Sequence, residues 1–241
     1  MTDALLTLSG VHTHIGRYHI LQGVDFSVPK GGVTMLLGRN GAGKTTTLRT
    51  IMGLWQASQG AIHFDGAAIE KRATPDISMS GVAYVPETMA IFSDLTVREN
   101  LVLAARAGAP DEKRLEWIFG LFPALRKFWL SRAGTLSGGQ QSRVALARVL
   151  LRARPLMLLD EPFAALGPAL KADMLDLVAE IADETGATVL MVSHDPDDAL
   201  SFSGQTVLVA AGVAHAPRPT AALFADPPPE LAAYLGRPGP H

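Results

Sequence analysis

The chain has 241 residues, 48% of them apolar, with a formal net charge of −2 and no cysteine. This length and composition predict one globular core with room for a small additional subdomain. The charge offers no basic surface for a nucleic-acid backbone, so no nucleic-acid partner is expected, and without cysteine there is neither a disulfide framework nor thiolate chemistry. No run approaches roughly 18 apolar residues, so neither a membrane span nor a signal peptide is expected.

The first part of the sequence predicts short strands that lead into a glycine-rich loop. The runs ALLTL, VDFSV and VTMLL are rich in strand-forming residues, and the third leads into GRNGAGKTT and then a helix that ends near Gly53. Two further strands are predicted at GAIHFD and GVAYVP. Residues 96–134 are predicted to be mostly helical, and we expect a helical subdomain at residues 88–135.

The second part of the sequence alternates helices and strands. A helix is predicted from Ser137 to Ala153, and the apolar strand LMLL follows it and ends at Asp160. A strand that is apolar on both faces indicates burial within a parallel sheet. The helix ALKADMLDLVAEIADE and the strand ATVLMVSHD continue this order, which predicts an α/β fold. The whole chain, residues 1–241, is predicted to be a single domain. Its residues 217–241 are predicted to form a proline-rich surface tail with one or two short docked helices.

The loop GRNGAGKT, from Gly38 to Thr45, matches the G-x-x-x-x-G-K-[ST] pattern of phosphate-binding loops and lies between a predicted strand and a predicted helix. Its glycines allow backbone N–H groups to surround a phosphate, the Lys44 ammonium would neutralise phosphate oxygens, and the Thr45 hydroxyl would bind Mg²⁺. A flexible turn that matches by chance is the alternative. The predicted ATP-binding residues of this loop are Gly38, Asn40, Gly41, Gly43, Lys44, Thr45 and Thr46.

Two acidic residues and a histidine follow predicted strands at their carboxyl ends, where α/β sheets place ligands. Asp160 would be costly to bury without a partner, and we expect it to bind Mg²⁺ together with Thr45. Glu161 is predicted to orient or deprotonate the water that attacks the γ-phosphate, and His194 is predicted to contact that phosphate. The candidate catalytic residues are therefore Lys44, Glu161 and His194. The alternatives are a pair of surface acids and a structural histidine.

A second candidate anion site opens the helix that begins at Ser137. Ser137 suits an N-cap position, and Gly138 and Gly139 leave the first N–H groups of the helix bare, so the helix dipole favours an anion there. No lysine stands beside this site, which is explained if it contacts the γ-phosphate of an ATP held by another subunit. An ordinary capped helix is the alternative. The residues assigned to ATP here are Ser137, Gly138, Gly139 and Gln140.

Three histidines, His12, His14 and His19, occur close together near the start of the chain. Their presence suggests a metal cluster, but a solvated strand face is the simpler interpretation of their spacing. No metal site is therefore assigned to them.

Taken together, GRNGAGKTT, LSGGQ, LMLLDEP and SHD resemble the nucleotide-binding subunits of ABC transporters, and the resemblance covers nearly the whole chain. It implies a P-loop NTPase with a mainly parallel core sheet, an antiparallel β subdomain and a helical subdomain. It also implies an ATPase that uses ATP and Mg²⁺ and forms a head-to-tail dimer with a second ABC ATPase subunit, identical or different. Its partners would be membrane permease subunits at the cytoplasmic, inner face of the bacterial cell membrane, with a periplasmic binding protein acting indirectly.

Within that family the two halves of the chain resemble different importers. Residues 1 to about 135 are similar to the ATP-binding subunits of branched-chain amino acid importers, whereas the residues from about 136 onward are similar to thiamine importer ATPases. This indicates a natural or engineered recombinant joined near LSGGQ. We favour a branched-chain amino acid permease as the partner. The reason is that the expected docking surface, around Glu87 and the predicted helical subdomain, lies in the first half of the chain.

Several alternatives to that function stay open. One is a thiamine-type importer ATPase, and another is a folded recombinant domain that is not coupled to transport. A soluble ABC ATPase that acts on DNA or ribosomes is less well supported, because a chain of 241 residues has no room for a coiled-coil insertion or a duplicated cassette.

Three positions differ from the family pattern. Glu87 stands where a glutamine usually links Mg²⁺ to the permease interface, and it is kept as a candidate metal ligand. Ile15 stands where an aromatic residue usually stacks on adenine, which leaves Tyr18 as a substitute candidate. Gly167 replaces the usual aspartate of the loop after Glu161 and removes one carboxylate from the expected dimer interface.

Overall fold

The computed structural model describes residues 4–105, 110–202 and 204–236. In chain order, the strands are β1 (Ala4–Ile15), β2 (Tyr18–Pro29), β3 (Gly32–Leu37), β4 (Ala57–Phe64), β5 (Ala67–Ala68), β6 (Val82–Val85), β7 (Leu156–Asp160), β8 (Thr188–Ser193), β9 (Gln205–Ala210), β10 (Val213–Ala214) and β11 (Arg218–Pro219). The helices are α1 (Lys44–Ile51), α2 (Thr74–Met79), α3 (Val97–Ala105), α4 (Glu112–Leu121), α5 (Pro123–Lys127), α6 (Gly138–Leu150), α7 (Pro168–Thr185), α8 (Pro196–Phe202), α9 (Thr220–Ala225) and α10 (Pro229–Tyr234), with a 3-10 helix at Ala133–Thr135. Among these described helices, none combines the length and the apolar character that a membrane crossing requires.

The strands of the described residues form two sheets. The larger sheet has the order β10-β9-β3-β8-β7-β6, and β11 pairs with β9 outside this order. Strands β9, β3, β8, β7 and β6 are parallel to one another, whereas β10 and β11 run antiparallel to β9. The smaller sheet, β2-β1-β4-β5, is antiparallel throughout. The predicted parallel core sheet and antiparallel β sheet are both confirmed.

The central strands of the larger sheet are buried on both faces. Every residue of β7 and β8 is buried, as the apolar run LMLL predicts for a strand covered on either side. Because successive side chains of a strand point to opposite faces, Met157 packs in one core cluster with Val144 of α6, and Leu158 packs in another with Leu48 of α1. The sheet is thus a packed platform, and the loops that follow its strands emerge at one edge.

Helices α3, α4 and α5 lie in the segment predicted to be a helical subdomain. They bury Val97, Ile118 and Leu125 in the same core cluster as residues of α6. Residues 106–109 of this segment lie outside the described residues. These three helices, called the helical block below, therefore pack directly against α6, the helix that begins after Ser137.

The C-terminal segment packs onto the main core. Strand β11 pairs with β9, and helices α9 and α10 bury Leu223, Phe224 and Leu231 in that core. The segment predicted to be a proline-rich surface tail therefore contains two short helices whose contacts tie this part of it to the body of the protein. Residues 237–241 lie outside the described residues. The sequence reasoning missed β9, although its run TVLV is a signal that could have found it.

Candidate functional site

The glycine-rich loop runs from the end of β3 to the start of α1 and lies close against β9. A Cβ atom at Gly38 would be 2.2 Å from the Val209 carbonyl oxygen, so a larger residue at this position would clash with backbone. Gly41 and Gly43 have φ values of 81° and 110°, a region that side-chain-bearing residues rarely adopt. These glycines fix the path of the loop and let α1 begin at Lys44.

The Lys44 side chain is buried inside the curve of this loop. Its Nζ donates hydrogen bonds to the carbonyl oxygens of Gly38, at 2.7 Å, and Arg39, at 3.0 Å. The same atom lies 3.8 Å from Glu161 Oε1. Burial lowers the pKa of Lys44, while the charges of Glu161 and Asp160 act in the opposite direction. The structure thus brings the loop cation Lys44 close to the carboxylate of Glu161, the residue that follows β7.

Asp160 ends β7 and is fully buried, but both of its carboxylate oxygens accept hydrogen bonds. Thr45 Oγ1 donates to Oδ1 at 2.9 Å, and the Tyr84 hydroxyl donates to Oδ2 at 3.0 Å. Burial raises the pKa of Asp160, and these two hydrogen bonds oppose the rise. Burial and the nearby Asp160 charge also raise the pKa of Tyr84. The sequence reasoning missed Tyr84, whose only signal is its place in the strand beside β7.

The predicted metal ligands Thr45, Asp160 and Glu87 lie in one neighbourhood. Thr45 and Asp160 are hydrogen-bonded, and the exposed Glu87 is near enough for its charge to raise the pKa of Asp160. Hydroxyl and carboxylate oxygens are ligands that suit Mg²⁺. Across the described ranges, no group of three or more His, Cys, Asp or Glu side chains could hold a metal ion. These oxygens therefore fit a cation that also takes ligands from phosphate and water, as Mg²⁺ usually does.

Glu161 directly follows β7 and has a φ of 46°, in the left-handed region that costs free energy for a residue with a side chain. Its Oε2 lies 2.7 Å from Nδ1 of His194, the residue that follows β8. Since β7 and β8 are parallel neighbours, their carboxyl ends bring these two side chains to the same edge of the sheet. The three predicted catalytic residues, Lys44, Glu161 and His194, form one connected group.

A residue from the C-terminal segment also reaches this group. The Tyr234 hydroxyl of α10 donates a hydrogen bond to the His194 carbonyl oxygen, and the Arg39 guanidinium lies 5.9 Å from the centre of the Tyr234 ring. Tyr234 lines a cavity of about 360 Å³ whose opposite wall is the loop from Gly38 to Ala42. Burial and the charge of Asp195 raise the pKa of Tyr234. The sequence reasoning missed this residue because no motif marks it.

The segment after β8 is held by a small polar network. Lys171 Nζ lies 2.8 Å from Asp195 Oδ2 and 2.6 Å from Asp198 Oδ1. Ser193 Oγ donates to Asp198 Oδ2 at 2.5 Å and accepts from the Asp195 backbone N–H at 2.9 Å. Burial disfavours the charged form of Lys171, but the hydrogen bonds of Lys171 to Asp195 and Asp198 outweigh it and raise the pKa of Lys171. The same hydrogen bond from Lys171 lowers the pKa of Asp195. The backbone on both sides of His194 is therefore fixed.

The start of α6 has the capped geometry that the sequence predicts. Ser137 is the N-cap, and its backbone N–H donates to Gln140 Oε1 at 3.0 Å. A Cβ at Gly139 would lie 2.6 Å from Leu170 Cδ2, whereas a Cβ at Gly138 would meet no atom within 4 Å. Gly139 thus allows α6 to approach α7, and Gly138 leaves the helix start open.

The early hairpin differs from the expectations both at Tyr18 and at its three histidines. Tyr18 is 61% exposed, and its ring lies 5.4 Å from the Arg17 guanidinium; the described contacts do not connect it with the phosphate-binding loop. His12 Nδ1 lies 3.0 Å from His19 Nε2, and the rings of His14 and His19 stack with centres 4.2 Å apart. The solvated-face interpretation missed this stacking, because it requires the pairing of β1 with β2 that brings the rings together.

Comparison with known proteins gives consistent results. A family profile described as ABC transporter matches residues 21–164. The chain is 48% identical over 237 residues to the thiamine import ATP-binding protein ThiQ of Cereibacter sphaeroides, an alignment that covers 92% of this chain and 99% of that protein. It is 34% identical over 236 residues to the high-affinity branched-chain amino acid transport ATP-binding protein BraG of Pseudomonas aeruginosa, covering 96% and 100% of the two chains. A crystal structure of the ADP conformation of MJ1267, an ATP-binding cassette of an ABC transporter, superposes with a TM-score of 0.82 at 26% identity, covering 98% of this chain and 100% of that one.

The two-sheet fold, the phosphate-binding loop and these similarities define an ATP-binding cassette with ATPase activity. The chain belongs to the ABC transporter family. The hypothesis of two halves joined near LSGGQ gains no support from the relatives, because their alignments cover 92% and 96% of the chain and extend across the supposed join.

Proposed function

We propose that this chain is the ATP-hydrolysing subunit of an importer and works as a dimer on membrane permease subunits. The observation that carries the proposal is the Glu161 carboxylate, which lies 3.8 Å from Lys44 Nζ and 2.7 Å from His194 Nδ1 beside the phosphate-binding loop. A carboxylate that can accept a proton from water, a cation that can neutralise phosphate charge and an imidazole that can orient the carboxylate suit the attack of water on a γ-phosphate. The similarity to proteins named as import and transport ATP-binding proteins supports the importer assignment.

The loop residues are proposed to hold the phosphates of ATP. The glycines of the loop, with Asn40 and Thr46, would surround the phosphates with backbone and hydroxyl donors. The Lys44 ammonium would exchange its contacts with the two carbonyl oxygens for contacts with phosphate oxygens. Thr45, Asp160 and Glu87 are proposed to hold Mg²⁺. When bound, Mg²⁺ would neutralise charge on the β- and γ-phosphate oxygens.

Glu161 is proposed to act as the base in the hydrolysis step. It accepts a proton from water as the water oxygen bonds to the γ-phosphorus and the bond from phosphorus to the bridging oxygen of ADP breaks, giving ADP and phosphate. His194 orients the Glu161 carboxylate through Nδ1 and would present its other ring nitrogen to the γ-phosphate. The Tyr234 hydroxyl keeps the His194 backbone in position.

The start of α6 is proposed to complete the site of a second subunit. Ser137 caps the helix, Gly138 is open, and the side chain of Gln140 holds the cap. The free N–H groups and the helix dipole would contact the γ-phosphate from the side opposite to the partner's loop. An ATP would then lie between two chains arranged head to tail, and the partner can be an identical or a related subunit.

Among importer types, the similarity is higher to a thiamine import protein, at 48% identity, than to a branched-chain amino acid transport protein, at 34%. We therefore infer a thiamine-type permease as the first candidate partner. A branched-chain amino acid permease is the second candidate, because residues around Glu87 and the helical block resemble that group. The chain would act at the cytoplasmic face of the bacterial membrane, and a binding protein outside it would take part only indirectly.

The experiment that tests the ATPase proposal is phosphate release by the purified chain as a function of its own concentration. Turnover per chain should rise with concentration, because each site needs a second chain, and should disappear in Glu161→Gln. Turnover that is independent of concentration would contradict the dimer. Turnover that survives in Glu161→Gln would contradict the role of that residue.

The partner is tested by uptake in cells that lack their own ATPase subunit. The chain is produced with the permease that serves either the thiamine relative or the branched-chain relative, and uptake of labelled thiamine or leucine is measured. Thiamine uptake that depends on Glu161 supports the first candidate. Leucine uptake without thiamine uptake would replace it with the second.

A further inference from the structure

A cavity of about 570 Å³ lies where α4, the end of α6 and the turn between α7 and β8 meet. The segment before β7, at Pro155, and the residue before β8, Ala187, line it. Asp160 and His194 lie at the opposite ends of the same parallel strands, roughly 17 Å from Pro155 and roughly 23 Å from Ala187 at about 3.3 Å per residue. The cavity is therefore separate from the candidate ATP site.

The cavity carries a concentration of positive charge. Arg114, Arg152 and Arg154 line it together with one acidic residue, Glu184, which gives a formal charge of +2 from 3 − 1. The whole chain, by contrast, has a net charge of −2. Guanidinium groups recognise carboxylates and phosphates through paired N–H donors. A dianion is the ligand whose charge matches this wall.

Two of the arginines are held in defined positions. Arg114 Nε donates to the Leu150 carbonyl oxygen at 2.6 Å, and its guanidinium lies 4.0 Å from the centre of the Trp117 ring. A guanidinium has five N–H donors, and this bond uses the one on Nε. Arg154 donates to the Ser78 carbonyl oxygen at 2.5 Å. Arg152 is exposed at the rim. Arg114 and Arg154 are thus preorganised, which lowers the cost of ligand binding, whereas the described contacts do not fix Arg152.

The rest of the wall is apolar and suits an organic ligand. Leu150, Pro155 and Met157 line it beside Trp117, whose Nε1 donates to Glu184 Oε1 at 2.8 Å. Its volume falls within the roughly 300–1,000 Å³ of small-molecule pockets and far exceeds the roughly 30 Å³ that one water occupies. A bare anion would leave most of this apolar surface uncovered.

We propose that this cavity binds a phosphate monoester with a compact apolar body, its dianionic phosphate held by Arg114 and Arg152. The phosphate supplies oxygens for several guanidinium donors, and the organic part covers the apolar wall. Because Arg114 and Trp117 belong to α4 while Arg152 follows α6, the ligand bridges the helical block and the parallel-sheet core.

The test is calorimetric titration of the full chain with phenyl phosphate, with the ATP site first saturated with ADP and Mg²⁺. One saturable site per chain is expected, and Arg114→Gln and Arg152→Gln should each weaken binding by about tenfold or more, since a charged hydrogen bond is lost. The exposed Arg72→Gln, which also removes one positive charge, is the matched control and should leave the affinity unchanged. Inorganic phosphate should bind more weakly than the ester.

Binding that competes with ADP, no saturable binding, or equal losses in Arg152→Gln and Arg72→Gln would overturn the proposal. Equal affinity for inorganic phosphate and phenyl phosphate would overturn the ester assignment. Arg152→Gln is exposed and should fold normally, so a loss of binding in this variant is not a folding defect. ATP hydrolysis measured on the same variant keeps this test separate from that of the ATPase function.

Discussion

The phosphate-binding loop and the start of α6 are both glycine-rich and both lead into a helix, yet their surroundings differ. At the loop, Lys44 and Thr45 contact the carboxylates of Glu161 and Asp160. At the start of α6, the described contacts are the cap made by Gln140 and the packing of the helix against α7. The first region gathers opposite charges from several elements of one chain, whereas the residues at the start of α6, Ser137 to Gln140, include no charged side chain. This difference supports the proposal that the second region contacts an anion whose cation comes from another chain.

The largest effect on turnover is expected when the proposed base of the first region, Glu161, is replaced. Glu161→Gln keeps the size of the side chain but cannot accept the proton from water, so turnover should fall by about 10²- to 10⁴-fold. ATP binding should persist, because the loop residues are unchanged. Phosphate release and equilibrium binding of a fluorescent ATP analogue measure the two quantities. Loss of both in equal proportion would contradict a purely chemical role.

The next effect concerns the second region. Gly138→Asp adds a carboxylate where a Cβ meets no atom within 4 Å, so the chain should fold but repel the partner's ATP, and turnover should fall more than tenfold. Gly120→Asp is the matched control, since Gly120 is also a helical glycine with open space around it. Phosphate release is measured for both variants. Equal turnover in the two variants would remove the special role of the α6 start.

Tyr84→Phe tests the hydrogen bond that the sequence reasoning missed. It leaves Asp160 Oδ2 without its phenolic donor in a fully buried position, so the free energy of unfolding should fall by about 1–2 kcal/mol. The Mg²⁺ concentration needed for half-maximal turnover should rise, because the carboxylate is less firmly positioned. Urea unfolding and Mg²⁺ titration of turnover measure both effects. An unchanged Mg²⁺ requirement would show that Tyr84 has only a structural role.

Tyr234→Phe tests the contact of α10 with His194. Loss of the hydroxyl should lower turnover a few-fold and the free energy of unfolding by about 1 kcal/mol, the usual scale for one hydrogen bond. Tyr18→Phe is the control, because Tyr18 is 61% exposed and should tolerate the same change. Turnover and urea unfolding measured on the same variant separate the two roles, since a loss of stability with unchanged turnover would show that Tyr234 has only a structural role.

The smallest effect is the dependence of stability on acid pH. The hydrogen bond from Lys171 lowers the pKa of Asp195 below its unfolded value, which is about 3.9. The stability that this adds is therefore present above that value and is lost as the pH falls through the folded-state pKa. Because the Asp195 side chain is 38% exposed, the contribution is below about 1 kcal/mol. The urea concentration at the midpoint of unfolding should decrease less steeply in Asp195→Asn than in the exposed control Asp183→Asn as the pH is lowered below 4.

The sequence predicts the phosphate-binding loop, the acidic end of β7 and the capped start of α6, because each depends on residues close together in the chain. Tyr84 and Tyr234 could not be predicted in this way. Their hydrogen bonds join residues 76 and 40 positions apart, and a single tyrosine in a strand or short helix carries no spacing pattern. The stacked histidines likewise depend on the register of β1 and β2, which is set by tertiary pairing.

The central claim, that the start of α6 completes the site of another chain, is tested most directly by mixing Gly138→Asp with Glu161→Gln. In a head-to-tail dimer of the two variants, one site carries both changes and the other carries neither. Turnover of the mixture should therefore rise well above that of either variant alone. If each site were built from a single chain, both variants would stay inactive at every ratio, and that result would contradict the account.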